Sequence, residues 1–410
     1  MKVYFLYKKD SLNNILIHDI IKSLSQNQPK KIILPLLAWN FISSNTLGIR
    51  ETVKFWILIN SYISGTLERE GLENYFRAKF KIENCLYLLG LQKIAIGIGF
   101  FQVGAELNLF HCTKLIEEYA FQQNNYTFGN AIKGYVSLGY LTAASNLLNS
   151  RNLNFQLNKK NKFLINEAKI YISLCLNSDL KASHSFSRFD EYVKDKDIFL
   201  IGPADYKLEH DFVKVKNALV SRRIGVGADK FNDQYQEKFG LKIVYTDSFY
   251  LDMKEDLEKW IFEEQIEFLS ITQSIESNNE SIRTARNFNA LFSSGSANKM
   301  QVALYDLLLS EPNNVFCDGI TFWASEVAYR NDSLDLNQKG QKINSNGATG
   351  TKFFVSLALA EHNIFVNRIM FKNLGMSNRV VLSRSVESVL SLSDLEFAKI
   401  LDKLYGERKL

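Results

Sequence analysis

Proline is scarce in this chain, with four in 410 residues, against a usual share of about 5%. Long proline-rich linkers are therefore excluded. Cysteine is equally sparse: Cys85, Cys112, Cys175 and Cys317 stand singly. No C-x-x-C occurs, so neither a zinc knuckle nor a thioredoxin-type motif is present, and the four read as buried, reduced thiols of an intracellular protein. An excess of one charge is also missing. The 49 Lys+Arg nearly balance the 44 Asp+Glu, for a net charge of +5. That balance gives no argument for nucleic acid, but it tolerates an anionic ligand or an anionic membrane surface. The best membrane candidate, Cys85–Ala105, carries Gln92, Lys93 and Gln102, which are costly at a bilayer centre, so it reads as a buried helical core. The opening MKVYFLYKKD is too short for a signal-peptide core. A cytoplasmic location follows, with peripheral association at the inner membrane left open. No P-loop, HExxH or G-x-S-x-G is present. Neither a cofactor nor a metal site is expected.

What is there is ordinary globular composition, 46% hydrophobic and 23% charged, and the length favours two or three domains. Residues 1–45 read as a small N-terminal βαβ unit. It has a strand at Lys2–Tyr7, a helix capped by Ser11 that carries Leu12, Ile15, Leu16, Ile20 and Ile21, and a second strand at Lys31–Leu37. Lacking a glycine-rich first turn, it is assigned no nucleotide. Residues 46–190 read as a helical domain, with candidates at Thr52–Ile63, Leu67–Phe80, Ala131–Asn149 and Asn161–Leu176. Small residues (Ala131, Gly134, Gly139, Ala143, Ala144) give tightly packed faces there. The pattern loosely resembles tetratricopeptide-like hairpins without a clean period. This domain either packs on the rest or holds a partner or acceptor.

Residues 191–410 alternate short apolar strands with helices, the pattern of a parallel α/β sheet. The fold class expected is α/β: a Rossmann-like parallel-sheet catalytic domain preceded by the helical domain and the βαβ unit. Strands are expected at Ile198–Ile201, Asp211–Val215, Lys242–Tyr245, Ile266–Thr272, Asn314–Trp323 and Arg379–Ser383. Residues 218–240 read as a glycine-rich loop and a short helix. Further helices fall at Leu257–Phe262, Ala297–Leu309, Phe353–Ala360 and Leu395–Tyr405. The last opens with a Ser393/Glu396 capping box and stops at Gly406.

Ligands of such sheets sit at the carboxyl ends of the strands, which ranks the motifs. Gly202-Pro203-Ala204 follows a buried strand, where glycine allows close backbone approach to a ligand or simply makes a βα turn. Gly225/Gly227 and Gly97/Gly99 lack the offsets of a dinucleotide fingerprint. Ser293-Ser294-Gly295-Ser296 precedes an apolar helix, where small hydroxyl residues cap the free N–H groups or those groups hold an anion. Gly319, Thr321, Phe322 and Trp323 close a strand. Trp323–Thr351, with Gly340, Gly347 and Gly350, reads as a flexible lid. His362 follows it, placed to take a proton from a hydroxyl. His18, His111 and His184 lie in segments remote from it, and His210 is a weaker candidate. The Asp195/Asp197 pair precedes a strand and is badly placed for a metal–diphosphate. Lys214, Lys216, Arg222 and Arg223 form a basic cluster at the presumed ligand end, or a solvated face.

Taken in order, these pieces resemble the sialyltransferase-type glycosyltransferases, bacterial and eukaryotic. The matching segments are Ile198–Ala204, the DFVKVKN strand Asp211–Asn217, the stretch FGLKIVYTDSF, Ser293-Ser294-Gly295, Gly319–Phe322 and His362. Together they span roughly Asp197–Ser383, under half the chain; Lys216 stands where the family has arginine, and Trp323 where it has tyrosine. The resemblance implies a CMP-activated acidic sugar, CMP-sialic acid or CMP-Kdo, as donor, and a glycan or glycolipid of bacterial surface polysaccharide or lipooligosaccharide as acceptor. It implies cytidine held by the Gly202 turn and the Ser294–Gly295 helix start, Asn217 near the phosphate, His362 as general base in an inverting displacement, and no metal. Retention would need a carboxylate nucleophile, with Asp229, Asp233 or Asp247 nearest. The alternatives are a non-catalytic helical interaction protein with a degenerate α/β domain, and a UDP- or GDP-sugar transferase.

Overall fold

A computed structural model describes residues 49–79, 84–150, 159–178, 187–202, 204, 209, 219–223, 242–246, 257–263, 265–273, 277–325 and 358–406, with short pieces between 15 and 39. Residues 34–36 and 38–39 are helical, so the strand expected at Lys31–Leu37 is not formed. Leu36 and Trp39 are buried while Leu34 is 74% exposed, a helical rather than an alternating pattern. The Trp39 ring stacks on Tyr87 at 4.8 Å. A short apolar run does not distinguish helix from strand by itself. The strand expected at Lys2–Tyr7 lies outside the described residues.

Seven helices follow: α1 (Ile49–Ile63), α2 (Arg69–Ala78), α3 (Cys85–Gly97), α4 (Phe101–Phe121), α5 (Asn125–Ser137), α6 (Leu141–Asn149) and α7 (Lys159–Leu176). α3 is buried nearly all round, as expected of a helix in a protein core. Among the described residues, no helix is long and apolar enough to cross a membrane. The single helix expected over Ala131–Asn149 is two, because the chain turns at Gly139.

Beyond the short α8 (Arg188–Val193) the described residues form one sheet of seven strands, all parallel: β1 (Asp197–Ile201), β2 (Leu219–Arg223), β3 (Ile243–Thr246), β4 (Phe268–Ile271), β5 (Ile282–Thr284), β6 (Asn314–Asp318) and β7 (Val380–Leu382). Their order is β5-β4-β3-β2-β1-β6-β7. The chain thus builds outward from β1 to β5, then returns to the other side of β1. β2 lies at Leu219–Arg223, inside the stretch expected as loop and short helix; its two arginines break the apolar run that marks a buried strand. The strand expected at Asp211–Val215 is outside the described residues. β5, IRT, is too short and too polar to stand out.

Parallel neighbours require the chain to cross back to the amino edge between strands. The helices before β6 and β7, α10 (Lys299–Leu309) and α11 (Ile364–Leu374), therefore both start at the carboxyl edge; α9 (Leu257–Glu263) precedes β4. α10 lies on β3 and β6 and touches α11, and α7 packs on both α10 and α11. The middle of α10 is fixed by charge. The fully buried Asp306 takes Arg283 at 2.5 Å and Arg286 at 2.7 Å. It also accepts the Tyr245 hydroxyl at 2.8 Å.

α12 (Arg384–Ser391), α13 (Asp394–Leu401) and a π turn (Asp402–Gly406) complete the described residues. Ser393 and Glu396 make the expected capping box. Asp402 accepts from the Phe101 and Gln102 backbone N–H groups at 3.0 and 3.2 Å, and so caps the start of α4. One apolar cluster runs from Ile17 to Tyr405 through both the helical layer and the sheet. All four cysteines are free and buried.

Candidate functional site at the carboxyl edge of the sheet

The strand order reverses between β1 and β6, and open α/β sheets bind ligands in the crevice outside such a switch point. Gly202 directly follows β1 and Gly319 directly follows β6. The Gly202 N–H donates to the Asp318 carbonyl at 2.7 Å and the Ala204 N–H to the Gly319 carbonyl at 3.0 Å. A Cβ at Gly202 would strike the Gly319 carbonyl, so the close approach of the two strand ends itself demands this glycine. The buried Asp318 carboxylate accepts the Gly319 N–H at 2.9 Å and the Glu209 N–H at 2.7 Å, binding both sides of the switch point together.

The strand expected to run to Trp323 stops at Asp318. Phe322 and Trp323 then take left-handed backbone, φ +52° and +63°, at a cost of about 1–2 kcal/mol each. The Phe322 ring lies edge-on to Phe371 at 5.4 Å, and the Tyr405 hydroxyl donates to the Trp323 carbonyl at 2.7 Å. Thr321 is buried, its hydroxyl 3.2 Å from that of Ser325. Backbone strain of this kind concentrates at functional sites.

The serine segment differs from expectation. Ser294 and Gly295 do not open α10. Asn298 does, accepting the Met300 and Gln301 N–H groups, so the helix-start donors expected to hold phosphate are already taken by its own side chain. Residues 293–296 instead form a turn against the start of α11. At Gly295, φ is +75° and a Cβ would lie 2.7 Å from the His362 carbonyl oxygen, so only glycine fits. His362 Nδ1 is 3.3 Å from the Ser296 carbonyl and 3.4 Å from the Ser296 hydroxyl. A carbonyl only accepts, so the matching tautomer carries its proton on Nδ1 and its basic lone pair on Nε2. The ring is half-buried.

Three asparagines that the sequence reading missed hold the two turns together. Asn367 accepts the Asn298 N–H at 2.9 Å and donates to the Ser296 carbonyl at 3.0 Å and to the His362 carbonyl. Asn363, at φ +47°, donates to the Ser294 hydroxyl and, at 3.0 Å, to Asn108 Oδ1 on α4. Gln92 on α3 donates to the same oxygen at 3.1 Å. Ser293 is tied to α5 by its N–H to the Ser137 hydroxyl at 3.2 Å. The one signal in the sequence was the pair Asn363 and Asn367, four apart at an apolar helix start.

These bonds bring the helical layer to the site. His111, expected to lie far from His362, is on α4 one turn beyond Asn108. Burial, with the nearby Lys93 ammonium, pushes its pKa down to about 4. Burial also lowers the pKa of Lys93, and the Glu361 carboxylate works against that shift. Burial pushes the neighbouring Cys112 thiol up to about 12, so it stays protonated.

Pro203, Asn217, His18, His184, His210, Lys214, Lys216, Gly225, Gly227, Asp229, Asp233, Asp247 and residues 326–351 of the expected lid lie outside the described residues. So do the side chains of Arg222 and Arg223, whose backbone ends β2. Asp197 accepts the Asn313 and Asn314 side-chain amides at the amino edge of the sheet, away from the site. Among the described residues no group of acidic, histidine or cysteine side chains could hold a metal ion. No family model matches the chain, and comparisons with curated proteins and with solved structures gave no match.

Proposed function

We propose that this chain is a glycosyltransferase that moves an acidic sugar, of the sialic acid or Kdo type, from a CMP-activated donor to a glycan or glycolipid acceptor. The acceptor belongs to a bacterial surface polysaccharide or lipooligosaccharide, and the enzyme works in the cytoplasm at the inner membrane. The α/β half is then a Rossmann-like catalytic domain, with the nucleotide in the switch-point crevice between β1 and β6.

The observation that carries this reading is the seat of His362. Its Nδ1 faces the Ser296 carbonyl, and its backbone lies against Gly295. The family resemblance gives these two segments, the cytidine seat and the base, to one donor site, although 66 residues separate Ser296 from His362. The proton on Nδ1 makes Nε2 the base. In the reaction, the acceptor hydroxyl oxygen bonds to the anomeric carbon while the bond from that carbon to the CMP phosphate oxygen breaks. The electron pair leaves with CMP, and Nε2 takes the hydroxyl proton.

A screen of CMP-N-acetylneuraminate, CMP-Kdo, UDP-sugars and GDP-sugars with product analysis tests the reading. Transfer from a CMP donor only, lost by about 10²–10⁴-fold in His362→Ala while CMP still binds, is expected. Transfer that survives His362→Ala, or transfer from a UDP- or GDP-sugar, overturns it.

A further inference from the structure

We infer that the end of the helical layer where α4, α5 and α7 meet is a docking surface for an anionic lipid bilayer, with Phe121 and Phe163 entering the headgroup boundary and Lys159, Lys160 and Lys162 meeting the lipid phosphates. The inference rests on the inner-membrane part of the reading above and names the surface that makes the contact; it does not depend on the sugar donor.

The first observation is where the charge lies. From Tyr119 to Asn166 the sequence contains no Asp or Glu, while it contains Lys133, Arg151, Lys159, Lys160 and Lys162. Those five account for the whole net charge of +5, so the rest of the chain is neutral. The carboxylates that bracket the stretch are turned to other partners. Glu118 accepts the Cys85 thiol at 3.0 Å, Glu117 pairs with Lys114 at 2.8 Å, and Glu167 accepts the Tyr305 hydroxyl at 3.3 Å. Lys159, Lys160 and Lys162 are exposed in the first turn of α7, which holds no acidic side chain. A helix start is the positive end of the dipole and favours carboxylates, so this charge does not serve the helix. It suits an anionic partner.

The second is exposed aromatic carbon beside that charge. Phe121, the last residue of α4, is 90% exposed, more than any other large hydrophobic side chain among the described residues, and Phe163, next to Lys162, is 57% exposed. At a bilayer surface apolar rings enter the boundary with the acyl chains while ammonium groups stay at the phosphates. The two rings stand on separate helix ends, as independent anchors that a fluid bilayer accommodates without a shaped groove.

The third is geometry. The Asn161 side chain donates to the Asn125 carbonyl, and Asn161 and Leu164 lie against Gly129, so the start of α7 sits on the start of α5. The Thr127 hydroxyl donates to the Gln122 carbonyl and Asn124 caps α5, which fixes the Phe121 corner at the same end. Both helices run from there toward the site. At the far end of α5 the Ser137 hydroxyl accepts the Ser293 N–H at 3.2 Å, and on α7 the Tyr171 hydroxyl donates to the Met370 carbonyl of α11 at 2.9 Å. The 13 residues of α5 span about 20 Å. A bilayer on this surface therefore does not cover the Ser293 and His362 turns.

The test is co-sedimentation of the full chain with vesicles of phosphatidylglycerol and phosphatidylethanolamine, and with vesicles of phosphatidylcholine. The variants are Lys159→Glu with Lys162→Glu, and Phe121→Ser with Phe163→Ser; thermal melts establish that each is folded. The expected result is that wild type binds the anionic vesicles and not phosphatidylcholine, more weakly as salt rises. The charge variant binds at least about 10-fold more weakly and the ring variant about 10-fold more weakly. Variants that bind as wild type does overturn the inference while leaving an inner-membrane location in place. Equal binding of wild type to both kinds of vesicle overturns it too, because charge then plays no part. Wild type that binds neither overturns the inference and the inner-membrane location together, while transfer from a CMP donor to a soluble acceptor is untouched. Wild type that ignores vesicles but binds oligo(dT) also overturns it, and gives the surface to nucleic acid.

Discussion

The start and the middle of α10 handle buried polarity in opposite ways. Around Asp306 the polarity is ionic and closed. Arg283, Arg286, Tyr245 and Ser310 meet a carboxylate or its backbone, Asp190 completes the set, and every buried polar side-chain atom in the cluster is partnered. At the helix start the polarity is mostly amide and hydroxyl, and it is open. Gln92 Oε1, Asn108 Nδ2, His111 Nδ1 and Gln301 Oε1 have no partner. A closed cluster has nothing left to offer a ligand and serves the fold. An open one, beside strained backbone and a half-buried imidazole, keeps capacity for something that arrives.

That contrast is broken most directly by exchanging the two kinds of damage. His362→Ala should lower transfer about 10²–10⁴-fold without lowering the unfolding free energy by more than a few tenths of a kcal/mol, a combination read from initial rates and urea melts of the same sample. Asp306→Asn should do the reverse. It strands two arginines, and breaking such a buried pair costs about 3–5 kcal/mol, while turnover per folded molecule stays near wild type. The two arginines hold the Asp306 pKa well below the ordinary carboxylate range, although burial opposes them. A depressed carboxylate stabilises the fold above its unfolded pKa, about 3.9, and that contribution fades as pH falls below it. Asp306→Asn should accordingly flatten acid unfolding below about pH 4.

Asn367 sharpens the comparison, since it is buried but belongs to the open end. Asn367→Ala removes the amide that shares the Ser296 carbonyl with His362 Nδ1. The expected loss is about 10-fold in kcat with KM little changed, together with a shift in the acidic limb of the pH–rate profile. A variant that loses only stability would mark Asn367 as a brace for the fold. His111→Gln should leave transfer unchanged and act only on the pH dependence of stability. His111 is neutral in the fold, so stability contributed above about pH 6.5 is lost as pH falls toward about 4, with a slope of at most about 1.4 kcal/mol per pH unit. Melting temperature against pH should be flatter for the variant across that window.

The sequence reading succeeded where burial imposes a period. β1, β3, β4 and β7 are short apolar runs fully or partly inside one sheet, and the Ser393/Glu396 box marks α13 because its chemistry is local. It failed where a strand carries charge, as in β2, or is very short, as in β5. It also failed where an apolar run is helical because Trp39 meets Tyr87. At the site, Ser293–Gly295 and His362 were legible as motifs, and their adjacency is present. Their mode of contact was not legible. The cap of α10 passed to Asn298, and the asparagines that join the turns have no local signature, since each acts on a partner about 70 to 250 residues away.

The central claim is that the crevice between the ends of β1 and β6 accepts a cytidine monophosphate. Direct titration of the full chain with CMP, UDP and GDP under identical salt and pH tests it with a single readout. The account predicts saturable binding of CMP at one site per chain, at least tenfold tighter than UDP or GDP. Binding of UDP or GDP in preference to CMP, or heats of dilution alone for all three, would contradict it.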